Sequence, residues 1–242
     1  MITLTISIQI IRCLGEATGA RLPCQSPAGI LEVMKDPDPT AIVPCIIPAA
    51  GRSSRMGSFK PLLPWQGSTL CGAVVEKVLD AGLQPVLVSG FQAGALEASF
   101  KGRADLLLVH NPDWEAGMVG SIQAGCRAAL EKWPGFSGLL VAPADMPALP
   151  LEAFRLLVEE GLSRGNSETG PSALFASRHG TLGHPVWIPW QYMDDILALG
   201  KGGQLRSYLL TRSWSGVEVE SDAIFMDLDT PEDYHACMAR GL

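Results

Sequence analysis

From residue 42 onward, short apolar runs alternate with longer amphipathic stretches. Residues 42–47 form a strand-length apolar run, and 69–81 carry apolar positions at helical spacing behind Ser68 or Thr69, either of which can cap a helix. The pattern then repeats. Residues 85–89 predict a buried strand, 92–100 a short helix, 106–110 a third strand, and 120–133 a helix. Residues 138–142 predict a fourth strand and 151–163 another helix. Strands apolar throughout, each followed by a helix, are buried on both faces. The expectation is an α/β fold with a doubly wound, mostly parallel, Rossmann-like sheet.

The start of the chain reads differently. Ile2, Leu4, Ile6, Ile8 and Ile10 alternate with other residues, a strand-like period of two, and the stretch lacks the positively charged start of a signal peptide. Pro23, Pro27, Pro37 and Pro39 follow, with several glycines, as in a linker. Residues 1–40 are read as an extension of unknown role, either an extra edge strand or an upstream reading-frame artefact. Residues 41–242 are read as the catalytic-domain candidate.

Composition narrows the classes. The 242 residues are 47% hydrophobic and 18% charged, which suits a globular core. A net charge of −7 argues against a nucleic-acid-binding surface. No apolar run reaches the roughly 18 residues of a membrane-spanning helix. The cysteines, at 13, 24, 45, 71, 126 and 237, form no Cys-x-x-Cys pair. They read as reduced thiols of a cytoplasmic protein rather than a zinc site or a disulfide frame.

Against that acidic background, Pro48-Ala-Ala-Gly-Arg-Ser-Ser-Arg-Met-Gly-Ser-Phe-Lys60 stands out. Ala49, Ala50 and Gly51 are small enough for backbone N–H groups to approach an anion. Ser53 and Gly57 extend the loop, and Arg52, Arg55 and Lys60 add phosphate-binding cations. The plainer alternative is a Gly/Ser surface turn with solvated basic residues. The spacing fits neither a Walker A loop nor the Gly-x-Gly-x-x-Gly dinucleotide fingerprint. In a doubly wound sheet, ligands bind beyond the carboxyl ends of the strands. The loop at 48–60, Ser89-Gly90, Asn111-Pro112 and Asp145 all follow predicted strands and are expected to share one crevice.

The segment Ala-Ala-Gly-x-Ser-x-Arg-Met-Gly-x-x-Lys-x-Leu-Leu-Pro, residues 49–64, resembles the signature of the MobA-like nucleotidyltransferases, especially the molybdenum cofactor cytidylyltransferases. Pro48 departs from it, since the family usually has Leu there. Further likenesses are Asp145-Met-Pro147, Asn111-Pro-Asp-Trp-Glu-Ala-Gly-Met-Val-Gly-Ser121, Gly183-His184-Pro185, the Gly-rich Gly200–Gln204 loop and Asp227-Leu-Asp-Thr-Pro-Glu-Asp-Tyr234. The resemblance covers about residues 41–242 and implies a nucleotide-diphospho-sugar transferase type of fold.

It also implies an activity. CMP would pass from CTP to molybdopterin-bound molybdenum, and pyrophosphate would leave. Arg55, Lys60 and Asp145 would be catalytic, with Mg2+ on Asp145 and on Asp227, which is read as a strand-end acid; Asp229 is held in reserve as a residue that shapes the turn. Ala49, Ala50, Gly51, Arg52, Ser53, Gly57, Ser89, Gly90, Asn111, Ser121 and His184 would contact nucleotide or acceptor. A molybdoenzyme or its maturation chaperone would receive the product. GTP is the rival nucleotide and a sugar phosphate the rival acceptor; a binding module without catalysis is the non-enzyme alternative. Thr230 and Asp233 read as a helix cap and its capping-box partner.

Overall fold

A computed structural model describes residues 42–53, 56–165 and 170–239; the 1–40 extension and Arg55 lie outside them. Strand β1 (Pro44–Pro48) leads through a β2–β3 hairpin (Pro64–Trp65 and Ser68–Thr69) into helix α1 (Leu70–Asp80). Strand β4 (Gln84–Ser89), helix α2 (Ala93–Ser99), strand β5 (Leu107–His110) and helix α3 (Met118–Lys132) follow. Next come β6 (Gly138–Val141), α4 (Leu151–Gly165), β7 (Ala173–Arg178) and β8 (Thr181–Pro189). The short helices α5 (Met193–Leu197) and α6 (Leu205–Leu209), strand β9 (Trp214–Glu218) and helix α7 (Pro231–Ala239) complete the chain.

The sheet order is β5-β4-β1-β6-β8-β7-β9. Strands β5, β4, β1 and β6 are mutually parallel, β8 is antiparallel to both of its neighbours, and β7 pairs parallel with β9. The sheet is thus mostly parallel, as the apolar runs predict. The chain leaves β1 toward β4 on one side and returns to β6 on the other. That reversal makes the β1/β6 boundary the switch point, where a crevice opens.

Apolar strands are needed because both faces are covered. Cys45, Ile47, Leu87, Leu140 and Leu174 pack with α1 and α4 through Val74, Val75, Val78, Phe154 and Leu157. The alternate residues Ile46, Val86, Val88, Leu139 and Val141 pack with α3 through Ile122, Cys126 and Ala129. Trp187 is wedged where Gly138 and Gly161 leave room, and a Cβ on either glycine would strike its indole. Helix α1 starts at Thr69, whose side chain accepts from Gly72 N. Helix α7 carries the capping box expected from its sequence: Asp233 N donates to Thr230 Oγ1 at 3.2 Å, and Thr230 N donates to Asp233 Oδ2 at 2.9 Å. No helix among the described residues is long and apolar enough to cross a membrane.

Strands β7, β8 and β9 fall in a region where the sequence pattern predicts no elements. Their composition explains this: Thr181, Gly183 and His184 interrupt β8, and β9 alternates exposed with half-buried residues at the sheet edge. Asp227 was expected at a strand end. It instead follows a short 3-10 turn, Asp222–Phe225, and its N–H bonds to Phe225 O.

Candidate active site

The loop after β1 is held in place by its neighbour strand. Ala49 N donates to Val88 O at 2.9 Å, and Phe91 N donates to Ala50 O at 3.0 Å. Gly90 sits where nothing larger fits; a Cβ there would lie 2.6 Å from the Cβ atoms of Ala50 and Trp114. Farther along, Ser53 (φ 55°) and Gly57 (φ 66°) adopt left-handed backbone, and Met56 N closes a turn onto Ser53 O. Glycine takes this conformation without strain, whereas Ser53 does not.

Past the loop, Pro61 lies in the 3-10 turn that begins at Lys60. This turn buries the Lys60 side chain, leaving the residue only 7% exposed. Its Nζ lies 2.6 Å from Asp145 Oδ2 and 2.8 Å from Asp229 Oδ1. Burial alone would lower the Lys60 pKa, but Asp145 and then Asp229 outweigh it and raise it. One cation thus sits between two carboxylates contributed by the turn after β6 and by the segment before α7.

The two carboxylates are joined through the backbone. Leu228 N donates to Asp145 O at 3.2 Å, and the Leu228 side chain is buried with Trp65, Leu70 and Cys237. With Leu228 anchored in this way, Asp229 reaches Lys60. Asp227 stays exposed beside the pair, and partial burial, then Asp229, raise its pKa. Of the two acids that flank Leu228, it is Asp229, expected only in reserve, that pairs with Lys60 beside Asp145. Sequence alone could not choose, because both acids flank the same apolar residue.

A cleft of about 230 Å3 opens over this cluster. Pro48, Ala49, Gly51, Ser53, Lys60, Pro61, Met118, Ala144, Asp145 and Asp229 line it. Met118, the first residue of α3, is 66% exposed at its edge, and sequence reasoning did not single it out. Several other expected contacts lie elsewhere. Arg52 points to a rim aromatic pair: its Cζ is 5.4 Å from the Phe91 centroid and 5.6 Å from that of Trp114, and it pairs with Glu115 at 3.6 Å. Asn111 and Ser121 are buried and bonded to each other at 3.0 Å. Ser89 is fully buried and donates to Glu97 at 2.7 Å. The polar atoms of these three residues hold the framework together.

His184 lies on β8, joined to Pro185 by a cis peptide bond. Its Nδ1 is buried without a hydrogen-bond partner. Burial, then the nearby Arg206 charge, push its pKa down to about 4, against an opposing pull from Asp145. The ring is therefore neutral near pH 7, with an unsatisfied nitrogen on the sheet half that carries β7 and β9.

Two carboxylates converging on one cation suit a hard divalent ion, which typically takes one or two carboxylates and completes its shell with phosphates and water. No group of three or more His, Cys, Asp or Glu that could hold a metal occurs among the described residues, so a bound phosphate would have to share the coordination. The arrangement suits transfer of a phosphate-containing group: small-residue N–H groups on one side and paired acids on the other.

Known proteins share this arrangement of chain. The sequence profile of the MobA-like NTP transferase domain matches residues 45–216. The chain is 28% identical over 192 residues to the molybdenum cofactor cytidylyltransferase of Escherichia coli (strain K12), covering 79% of this chain and 93% of that protein. It is 32% identical over 205 residues to nicotine blue oxidoreductase of Paenarthrobacter nicotinovorans, covering 80% and 96%. A crystal structure of a nucleotidyl transferase from Methanothermobacter thermautotroptrophicus superposes with a TM-score of 0.68 at 25% identity, covering 82% of this chain and 97% of that one. With the Gly-rich loop, the switch-point crevice and the profile match in agreement, the chain belongs to the MobA-like NTP transferase domain family.

Proposed function

We propose that this protein transfers CMP from CTP to molybdopterin-bound molybdenum cofactor, with Mg2+ as the divalent ion. One observation carries the reading: the Lys60 ammonium lies between Asp145 and Asp229 at the end of the Gly-rich loop. In the reaction, a phosphate oxygen of the acceptor attacks the α-phosphorus of the nucleotide. A new P–O bond forms, the α–β bridging P–O bond breaks, and its electron pair leaves with pyrophosphate.

Such transfer needs in-line positioning and charge stabilisation more than covalent help. Asp145 and Asp229 would hold the divalent ion, which would neutralise charge on the phosphates. Lys60, released from the two acids, turns to the β- and γ-phosphates. Ala49 N is held by Val88 O, so the backbone N–H groups of Ala50 and Gly51 are assigned to the triphosphate. Arg55 is assigned to the same phosphates by resemblance, and Arg52 reaches them by leaving its aromatic rest. His184 faces the acceptor, its neutral ring offering one donor and one acceptor nitrogen.

The cytidylyl assignment is supported by the likeness to the Escherichia coli enzyme. The similarity to an oxidoreductase means that family membership alone does not name the chemistry; the lysine–carboxylate cluster favours phosphoryl-group chemistry over hydride transfer. The test uses purified protein with Mg2+, each nucleoside triphosphate in turn, and the molybdenum-loaded pterin acceptor. Pyrophosphate release is expected with CTP and not without acceptor. Preferential release from GTP would replace the cytidylyl assignment. Release only with sugar 1-phosphates would replace the acceptor, and CTP binding without turnover would leave a binding module.

A further inference from the structure

Helix α1 carries one half-buried charge for which no role has been given. The Lys77 Nζ donates to Pro147 O and to Leu149 O, each at 2.6 Å. Burial lowers its pKa. Drawing an ammonium partly out of water costs free energy that its hydrogen bonds to the two carbonyls must offset. A methionine would fill the same space without that penalty.

The two carbonyls belong to the turn that presents Asp145. Pro143, Pro147 and Pro150 punctuate this turn, and proline has no N–H to donate. The turn's own backbone bonds are few and long: Met146 N to Pro143 O at 3.4 Å and Leu149 N to Met146 O at 3.2 Å. Its remaining carbonyls need outside donors, and Lys77 supplies two. From the turn, the Asp145 carbonyl accepts from Leu228 N and so sets the distance to Asp229. At its other end, α1 is tied to the Lys60 turn through Leu70 N to Leu63 O and Leu63 N to Lys60 O. One helix therefore spans both sides of the cluster.

We propose that Lys77 is a positioning residue that holds the Asp145 turn at the spacing from Asp229 that a divalent ion requires. It touches neither nucleotide nor acceptor and acts only through the Pro147 and Leu149 carbonyls. The proposal rests on the reading of Asp145 and Asp229 as metal ligands.

The test compares full-length wild type with Lys77→Met, Lys77→Arg and Asp145→Asn. Three quantities are measured: Mn2+ affinity by electron paramagnetic resonance, amide exchange of Leu228 in metal-free protein, and steady-state kinetics. In Lys77→Met, Leu228 exchange should rise about tenfold while the buried Ile46 amide keeps its wild-type rate, the mark of a local opening. Mn2+ binding should weaken about tenfold, the lower end for residues that orient metal ligands. Turnover should fall while the nucleotide KM stays within about twofold. Lys77→Arg, which keeps cationic donors, should recover most of the Mn2+ affinity.

Wild-type Leu228 exchange and Mn2+ affinity in Lys77→Met would overturn the proposal. If that variant does not fold, Lys77→Gln, uncharged and with its terminal nitrogen one atom nearer the backbone, is read by the same measurements. Wild type that binds no Mn2+, or Asp145→Asn that binds it as tightly, would instead overturn the metal reading. Leu228 exchange needs no metal and would then decide the positioning role by itself.

Discussion

The two halves of the sheet are built on different principles. Strands β5, β4, β1 and β6 are parallel and deliver their loops to one edge; β4, β1 and β6 are buried on both faces, and β5 is the half-buried edge strand. Strands β8, β7 and β9 mix directions, carry polar interruptions, and end in an exposed edge strand. In the first half, main-chain position shapes the proposed nucleotide site: small residues, tight turns and strand ends. In the second half, a side chain is the salient feature, His184 with its unsatisfied buried nitrogen. Asp229 crosses between them to reach Lys60, brought to the first half by the chain after β9. The proposed nucleotide end is thus shaped by topology, whereas the proposed acceptor end rests on individual side chains.

The largest expected effect tests where the halves meet. Asp145→Asn should lower turnover by roughly 1000-fold, and Asp229→Asn by about 100-fold, as expected when charge stabilisation in a transfer site is lost. Asp227→Asn should stay within about threefold. Initial rates of pyrophosphate release, with melting curves to confirm folding, give the comparison; an Asp227 variant as damaged as Asp229 would return the second acid to position 227.

Gly90→Ala addresses the first half alone. The added methyl would push against Ala50 and Trp114, so the Gly-rich loop must shift. Nucleotide KM should rise about tenfold with a stability loss of about 1–3 kcal/mol, the usual cost of overpacking. Titration of nucleotide binding by calorimetry checks it, and unchanged affinity would mean that the loop position does not matter. Gly161→Ala tests the converse. Its methyl meets Trp187 behind the sheet, far from the loop. Stability should fall by about 1–3 kcal/mol in urea melts, with the kinetic constants unchanged at temperatures where the variant is folded.

The smallest effect concerns His184. Its pKa is lower folded than unfolded, about 4 against 6.5. The unfolded chain therefore takes up more protons across that window, so stability is full above about pH 6.5 and falls as the pH drops through 4. His184→Gln removes this contribution. The difference in unfolding free energy between wild type and variant should change by on the order of 2 kcal/mol between those limits. A difference independent of pH would mean that the ring is not buried neutral.

The parallel core was legible because residues covered on both faces must be apolar along their whole length, which marks strands such as β4 without any knowledge of partners. The phosphate loop was legible for a related reason: close backbone approach demands small residues, and that demand is local. Strand β9 escaped because an edge strand satisfies no strict pattern, and β8 because polar residues interrupt it; β7 is a short buried apolar run, Ala173 to Ala176, that only its length leaves ambiguous. Asn111, Ser121 and Ser89 were expected at the site, whereas their polar atoms are taken by framework bonds that sequence spacing does not reveal.

The sequence by itself determined the fold class, the Gly-rich loop, the strand-end acid Asp145 and the cap of α7. All of these follow from local chemistry or from a period along the chain. The tertiary structure decided that Asp229 rather than Asp227 meets Lys60, that Arg52 rests on Phe91 and Trp114, and that Lys77 holds the Asp145 turn. Those outcomes depend on which distant carbonyl, ring or carboxylate lies within a few ångströms. Lys60 and Asp229 are 169 positions apart, and only the folded sheet, with Leu228 anchored in the core, brings them together.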